Sequence, residues 1–142
     1  MMPPEFFRRF KLHDSVVEEA HYSGENHTLT LKLELPSYMQ PSYKQGASET
    51  IAGGLVFSGV ERLMADPELA SFAWGPNVNG EILQARLLPS DDSKHLHHVK
   101  LVSTISNYRE KRKTILNLDF LTTDIQWNPE QEKIRPSPSE KP

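Results

Sequence analysis

Four places in the chain carry side chains able to do chemistry, and the first is His95-Leu96-His97-His98. On an extended strand, alternation would put His95 and His97 on one face, spaced for a shared ion such as zinc. Two ligands do not complete a site, and a third from His13, Asp14 or His21 would have to arrive from another strand. The simpler reading is a solvated face of imidazoles whose charge varies in the usual histidine range. The second place, Leu12-His13-Asp14-Ser15, holds the residue types of a nucleophilic triad. Neighbours on an extended chain point to alternate faces, so the three cannot converge. Their reading is local: Asp14 and Ser15 bond nearby backbone amides and shape entry into a strand, while His13 packs or pairs across the sheet. Third, Glu18 and Glu19 are adjacent and therefore face opposite ways, a poor acid-base pair. Glu18 would interrupt the apolar face of its strand.

The fourth place is basic: Arg109, Lys111, Arg112 and Lys113 beside Tyr108. Such a run would bind an acidic partner or phosphate, or simply form a solvated hairpin tip. No glycine-rich loop adjoins it, so nucleotide binding has little support. A tandem pentapeptide adds aromatic side chains in a loop, Pro36-Ser37-Tyr38-Met39-Gln40 followed by Pro41-Ser42-Tyr43-Lys44-Gln45. Two copies cannot make a solenoid, and proline with serine makes an ordinary turn-rich connection. As a contact loop it would present Tyr38, Met39 and Tyr43, because long loops are often functional and tyrosine is enriched at interfaces. Trp74 and Trp127 read as core or edge aromatics.

The elements that must position these groups are strands. Leu29, Leu31, Leu33 and Leu35 alternate with Thr28, Thr30, Lys32 and Glu34, the pattern of a half-buried strand. Residues 16–22 are rich in β-formers, with Val16, Ala20 and Tyr22 on one face. Ser23-Gly24-Glu25-Asn26-His27 supplies turn chemistry, so the two segments form an antiparallel hairpin. Asn26-His27-Thr28 formally matches a glycosylation acceptor and is read as part of that polar turn. Ahead of them, Pro3 and Pro4 precede Phe6, Phe7 and Phe10, as one helical turn or an extended arm. Pro36 ends the leucine strand.

Residues 51–64 are ambiguous. As a strand, Val56, Ser58 and Val60 share a face; as a helix, Ser58 and Glu61 would form a capping box. A strand running into a turn at Asp66-Pro67 is preferred. Residues 69–74 read as a short strand or turn, and residues 75–80 as a reversal. Residues 81–88 place Leu83, Ala85 and Leu87 on one side, and residues 95–108 form a long strand with Val99, Leu101 and Ile105 inward. Leu116, Leu118 and Phe120 share a phase that Ile125 and Trp127 leave, which a bulge near Thr122 and Thr123 would reconcile. The fold class is therefore α+β, mainly β: a single domain on an antiparallel, strongly curved sheet with hairpins and little helix. It spans residues 1–128, and residues 129–142 form a flexible tail rich in proline and charge.

Composition narrows the function. A chain of 142 residues is long enough to bury a core without staples. It has no cysteine, which removes disulfides, thiolate catalysis and cysteine-based zinc sites and points to the cytoplasm. No apolar run follows the first residues, so neither signal peptide nor membrane span is expected. A formal charge of -3 disfavours unguided binding to nucleic acid or anionic membrane. No cofactor is implied.

Several short segments together resemble a known class. They are Phe10-Lys11-Leu12-His13-Asp14-Ser15-Val16-Val17, the leucine hairpin, Phe57-Ser58-Gly59-Val60-Glu61-Arg62-Leu63, Gly80-Glu81-Ile82-Leu83 and Ile125-Gln126-Trp127. They look like small bacterial β-rich domains of unknown function, some of which are grouped with immunity proteins of polymorphic toxin systems. The resemblance implies a mainly β fold and a non-catalytic role, and it carries over no catalytic residue. The expected function is non-enzymatic binding of another protein, as in toxin immunity, through Tyr38, Tyr43, Arg109, Lys111 and Arg112. Alternatives are a metal-binding protein or metal-dependent hydrolase using His95 and His97, and a small-molecule binding module. A homodimer through an exposed edge strand is a further option.

Overall fold

The leucine alternation does what its period requires. In a computed structural model that describes residues 1–36, 50–89 and 95–130, Leu29, Leu31, Leu33 and Leu35 are all buried on one face of strand β2 (Thr28–Pro36). Strand β1 (Val16–Ser23) pairs with it antiparallel, Ser23 opposite Thr28, so the expected hairpin forms. Its inward set differs from the expected one. The register shifts between Val17 and Glu19, so Val17 and not Val16 shares the inner face with Ala20, while Tyr22 keeps the face of Ala20, opposite Leu29, and is 40% exposed near the end of the strand. A bulge adds one residue and reverses the alternation beyond it, something local hydropathy cannot register.

The remaining strands are β3 (Thr50–Ser58), β4 (Glu61–Asp66), β5 (Val78–Leu88), β6 (His97–Asn107), β7 (Arg112–Thr122) and β8 (Asp124–Pro129). All belong to one antiparallel sheet in the order β4-β7-β6-β5-β1-β2-β3-β8. The segment 51–64 is therefore strand, as preferred, but it is two strands divided by Gly59 and Val60. Gly59 has φ +61, and a Cβ there would meet the Thr123 side chain, so a backbone conformation open to glycine makes this corner. Leu55 and Phe57 are buried ahead of it and Val60 beyond it. Strand β4 then ends at Asp66-Pro67, where the turn was expected.

Connection lengths dictate the curl. β3 and β4 are six positions apart in the sheet order, as are β7 and β8. On a flat sheet six steps would span about 29 Å, yet residues 58 and 61 can be no more than about 11 Å apart along the chain. The sheet must bend until its ends approach, although β4 and β8 remain edges and no barrel closes. Thr122 and Thr123 sit at the second corner. They are not the expected bulge within one strand: β7 ends, and β8 begins at the far side of the sheet against β3. Ile125 is buried there because the strand belongs to another wall, which also explains its change of phase.

Both corners converge on the Ser58 carbonyl, which accepts from the Thr123 amide at 3.0 Å and from the buried Thr122 hydroxyl at 2.7 Å. T122V should lower unfolding stability by about 1 kcal/mol, the net value of one such bond. Chemical denaturation checks this, and an unchanged midpoint would show that the corner does not depend on the hydroxyl.

Helix α1 (Pro3–Arg9) lies against β5 and β8. It begins with proline at its first position, buries Phe6 completely and stacks that ring on Phe10 at 4.8 Å. The sheet edges are both interrupted. The Ile125 amide on β8 donates to the Met1 carbonyl, 2.9 Å, and β4 carries an irregularity between Glu61 and Met64 with Arg62 at φ 53. Covered or bulged edges resist the addition of a further strand.

In β5, Leu83 is 42% exposed rather than inward, because the register shifts between Ile82 and Gln84 and Ile82 takes the core position. In β6, Val99, Leu101 and Ile105 point inward as expected, and Leu116, Leu118 and Phe120 do so in β7. Pro129 pairs with Gly53 and so belongs to the sheet, and the tail beyond residue 130 lies outside the described residues. Among the described residues no helix is long and apolar enough to cross a membrane.

Candidate functional site

The sequence-derived candidates separate in space. His95 is exposed with φ 59 and precedes β6, which begins at His97, so the two do not alternate along one strand. His97 Nε2 is buried without a hydrogen-bond partner among the described residues, and His98 Nε2 lies 2.6 Å from Asp119 Oδ1 across to β7. Among the described residues no group of three or more histidine or carboxylate side chains is placed to hold a metal ion.

His13, Asp14 and Ser15 form a tight turn closed by the Ser15 amide on the Leu12 carbonyl, 3.0 Å, with Asp14 at φ 65. His13 Nδ1 lies 3.2 Å from Asp14 Oδ2 at the surface, whereas Ser15 is fully buried and its hydroxyl has no partner among the described residues. Three groups split between solvent and core cannot relay a proton. The turn instead holds β5 where its register shifts, since Asp14 donates to the Ile82 carbonyl and Ile82 donates to the Ser15 carbonyl, each at 2.9 Å. The segment does shape entry into β1, as expected, but through its backbone and not the Asp14 and Ser15 side chains, and His13 pairs with its neighbour Asp14 and not across the sheet.

Arg109, Lys111, Arg112 and Lys113 are exposed around the β6–β7 hairpin tip. The Asn107 side-chain oxygen accepts from the amides of Arg109 and Glu110, 3.1 Å each, and the Tyr108 hydroxyl donates to Asn79 at 2.9 Å. The tip is thus a fixed basic platform. Tyr38 and Tyr43 lie outside the described residues.

The feature that best fits a binding site came from none of these. β1 pairs with β5 only through Val16 and Val17, and its second half pairs with β2 alone. The gap is taken by residues 67–77, which include a single 3-10 turn, Leu69–Ser71, beside β1. Of the short strand or turn expected over residues 69–74, the structure has the turn. The Trp74 indole N–H donates to the Leu69 carbonyl at 3.3 Å, and the Trp74 and Phe72 rings pack 5.2 Å apart. Between this segment, β1 and β4 opens a groove of about 1030 Å³. Ala20, Leu63, Ala65, Leu69, Trp74 and Leu118 give it an apolar lining. Asp66, Glu68, Asp119 and Lys100 bring charge to it, and Met64, 70% exposed, stands at its margin.

Trp74 also lines a smaller cleft of about 420 Å³ with Glu18, Glu19 and Lys32. Glu18 sits at the β1 bulge and reaches Lys32 at 3.4 Å, so it does not interrupt an apolar face. Its charge, followed by its hydrogen bond, holds the Lys32 ammonium above the ordinary lysine value. A raised lysine contributes stability that is fully present below its ordinary value and fades as pH rises through the raised one, so the pair contributes throughout the neutral range. His21 Nε2 lies 2.8 Å from Glu19.

Such a concavity, apolar with a few convergent polar groups, is what ligand and partner sites have in common. Trp74 and Trp127 are half-buried and pack against the core, as the sequence assigned them; what sequence reasoning missed is that Trp74 also lines the groove. The available signal was Leu69-Ala70-Ser71-Phe72-Ala73-Trp74, an apolar stretch too short and too near Pro67 and Pro76 to make a paired strand. Apolar side chains outside a ladder must cover something or remain available. Comparison with known proteins finds no matching family model, no matching curated protein and no matching solved structure.

Proposed function

We propose that this chain is a non-enzymatic binding module that receives an apolar segment of a protein partner in the groove between β1, β4 and residues 66–74. The observation that carries this reading is the groove itself, an apolar concavity with a largely exposed methionine at its margin. A concave apolar lining with a few charged groups at its rim is the common form of ligand and partner sites. The interrupted edges of β4 and β8 favour capture of side chains in the groove over addition of a strand to the sheet. The resemblance to immunity domains makes a toxin domain the natural class of partner, with inhibition by occlusion as the mode of action. In that setting the basic tip at Arg109, Lys111 and Arg112 would supply a second, electrostatic contact that speeds encounter.

A second reading, a small-molecule binding module, draws on the volume of the groove, which is close to that of common ligand pockets. A ligand that binds only the folded state raises its apparent stability, so thermal-shift screening against metabolites addresses it directly.

The peptide reading is tested by selecting a displayed random dodecapeptide library on the immobilised protein and measuring affinities of enriched peptides for the wild type and for M64E. Met64 is exposed, so its replacement should leave the fold intact. Enriched peptides should lose at least about tenfold in affinity, roughly 1.4 kcal/mol, because the new carboxylate must lose hydration beside the bound segment. Absence of enrichment, or equal binding to both proteins, would overturn the groove as the binding surface.

A further inference from the structure

Resting on that reading, we infer that the segment received by the groove is cationic as well as apolar: a partner stretch in which arginine or lysine alternates with large apolar residues. The lining brings three carboxylates, Asp66, Glu68 and Asp119, against one ammonium, Lys100. Asp119 is engaged by His98 at 2.6 Å, while Asp66 and Glu68 make no ion pair among the described residues. Two carboxylates therefore stand beside an apolar wall with their charge uncommitted. An incoming cation would meet opposite charge there, whereas an acidic segment would meet like charge.

Trp74 strengthens the case from a separate direction. Its indole N–H is already used by the Leu69 carbonyl, so the ring's remaining contribution to the groove is its π surface. That surface attracts guanidinium and ammonium groups and accepts the aliphatic stem of either side chain. Trp74 also lines the cleft where Glu18 pairs with Lys32 and Glu19 with His21, so those two carboxylates are already engaged and the charge offered to a ligand is that of Asp66 and Glu68. An arginine entering the groove would share it with Trp74, Asp66 and Glu68, and its apolar neighbours would meet Leu63, Leu69 and Leu118.

The test reads the charge of the peptides selected from the dodecapeptide library, then measures them on the double variant D66N/E68Q and across a salt series. Support would be groove-dependent peptides that are net positive, that lose at least tenfold in affinity on D66N/E68Q, and that weaken as salt rises from 50 to 300 mM. Groove-dependent peptides that are neutral or acidic, or that bind the double variant equally, would overturn the inference while leaving the groove reading intact. If M64E binds every peptide as the wild type does, the groove reading fails and the inference fails with it. Light scattering after size exclusion addresses another occupant: a concentration-dependent oligomer abolished by Lys111→Glu would mean that the basic tip of a second copy fills the groove, which also overturns the inference.

Discussion

Replacing Gly80 by alanine should destabilise the protein by about 3 kcal/mol, the upper part of the range for overpacking a closed interior. Gly80 lies where β5 is shared by two neighbours, opposite Val17 of β1 and Ile105 of β6. A Cβ built on it would overlap the Thr104 carbonyl oxygen and would stand 2.8 Å from the carbonyl carbon and 2.9 Å from Ile105 Cδ1. The obstacle is backbone, which cannot rotate aside as a side chain can. It is also tied in place: the Thr104 hydroxyl accepts the Glu81 amide at 3.0 Å, and the Ser103 hydroxyl donates to the Glu81 carbonyl at 3.1 Å. These side-chain bonds join the two strands where β5 bends, just before its register shift at Ile82. Gly54→Ala is the control, since nothing lies within 4 Å of a Cβ at that position. Urea unfolding followed by tryptophan fluorescence would compare the two at constant slope. A Gly80→Ala protein within about 0.5 kcal/mol of wild type, the usual effect of a surface change, would contradict the close approach of β5 and β6.

Phe57→Ala should cost about 3–5 kcal/mol, the usual toll of removing a buried aromatic ring. With total stabilities of domains near 5–15 kcal/mol, this is a large fraction of what holds the fold. Phe57 belongs to β3 and Phe120 to β7, strands far apart in the sheet order, yet their rings meet edge to face at 4.9 Å and 78°. Both are fully buried. The contact exists because the sheet has curled, so it joins the two halves across the interior. A double-mutant cycle of Phe57→Leu and Phe120→Leu should return a coupling of about 0.5–1.5 kcal/mol. Additive losses would mean that the rings stabilise their own walls separately and not the closure between them. Leu83→Ala, at a residue 42% exposed, should change little by comparison.

The two experiments address different aspects of one geometry. Gly80 sets how closely neighbouring strands approach, and Phe57 with Phe120 fills the space their curvature encloses. The groove inherits both, because its lining comes from β1, β4, β6 and β7 together with residues 66–74. A loss of curvature would separate Ala20 from Leu118 and open the concavity. The relation between stability and binding in core variants is therefore informative in itself.

The amino-acid sequence by itself determined that the chain is mainly strand, the β1–β2 hairpin and the turn at Asp66-Pro67. Those properties depend on periodicity over a few residues and on local backbone chemistry, as Leu29 to Leu35 illustrate. It read residues 51–64 as one strand where there are two, and residues 75–80 as a reversal where β5 begins at Val78. The alternation expected for His13, Asp14 and Ser15 did not hold, because a tight turn keeps His13 beside Asp14 at the surface and sends Ser15 alone into the core. Only the tertiary structure decided phase and closure. Bulges at Glu18 and Leu83 each reversed which residues face inward, and a corner at Thr123 sent Ile125 to another wall. Such events trade one or two ladder bonds for bonds to distant partners, such as the Ile82 carbonyl or Ser58, so no local pattern encodes them. The groove is likewise a product of assembly, since Trp74, Leu69, Ala20 and Leu118 are neighbours only once the sheet curls and residues 67–77 fill the gap where β1 leaves β5.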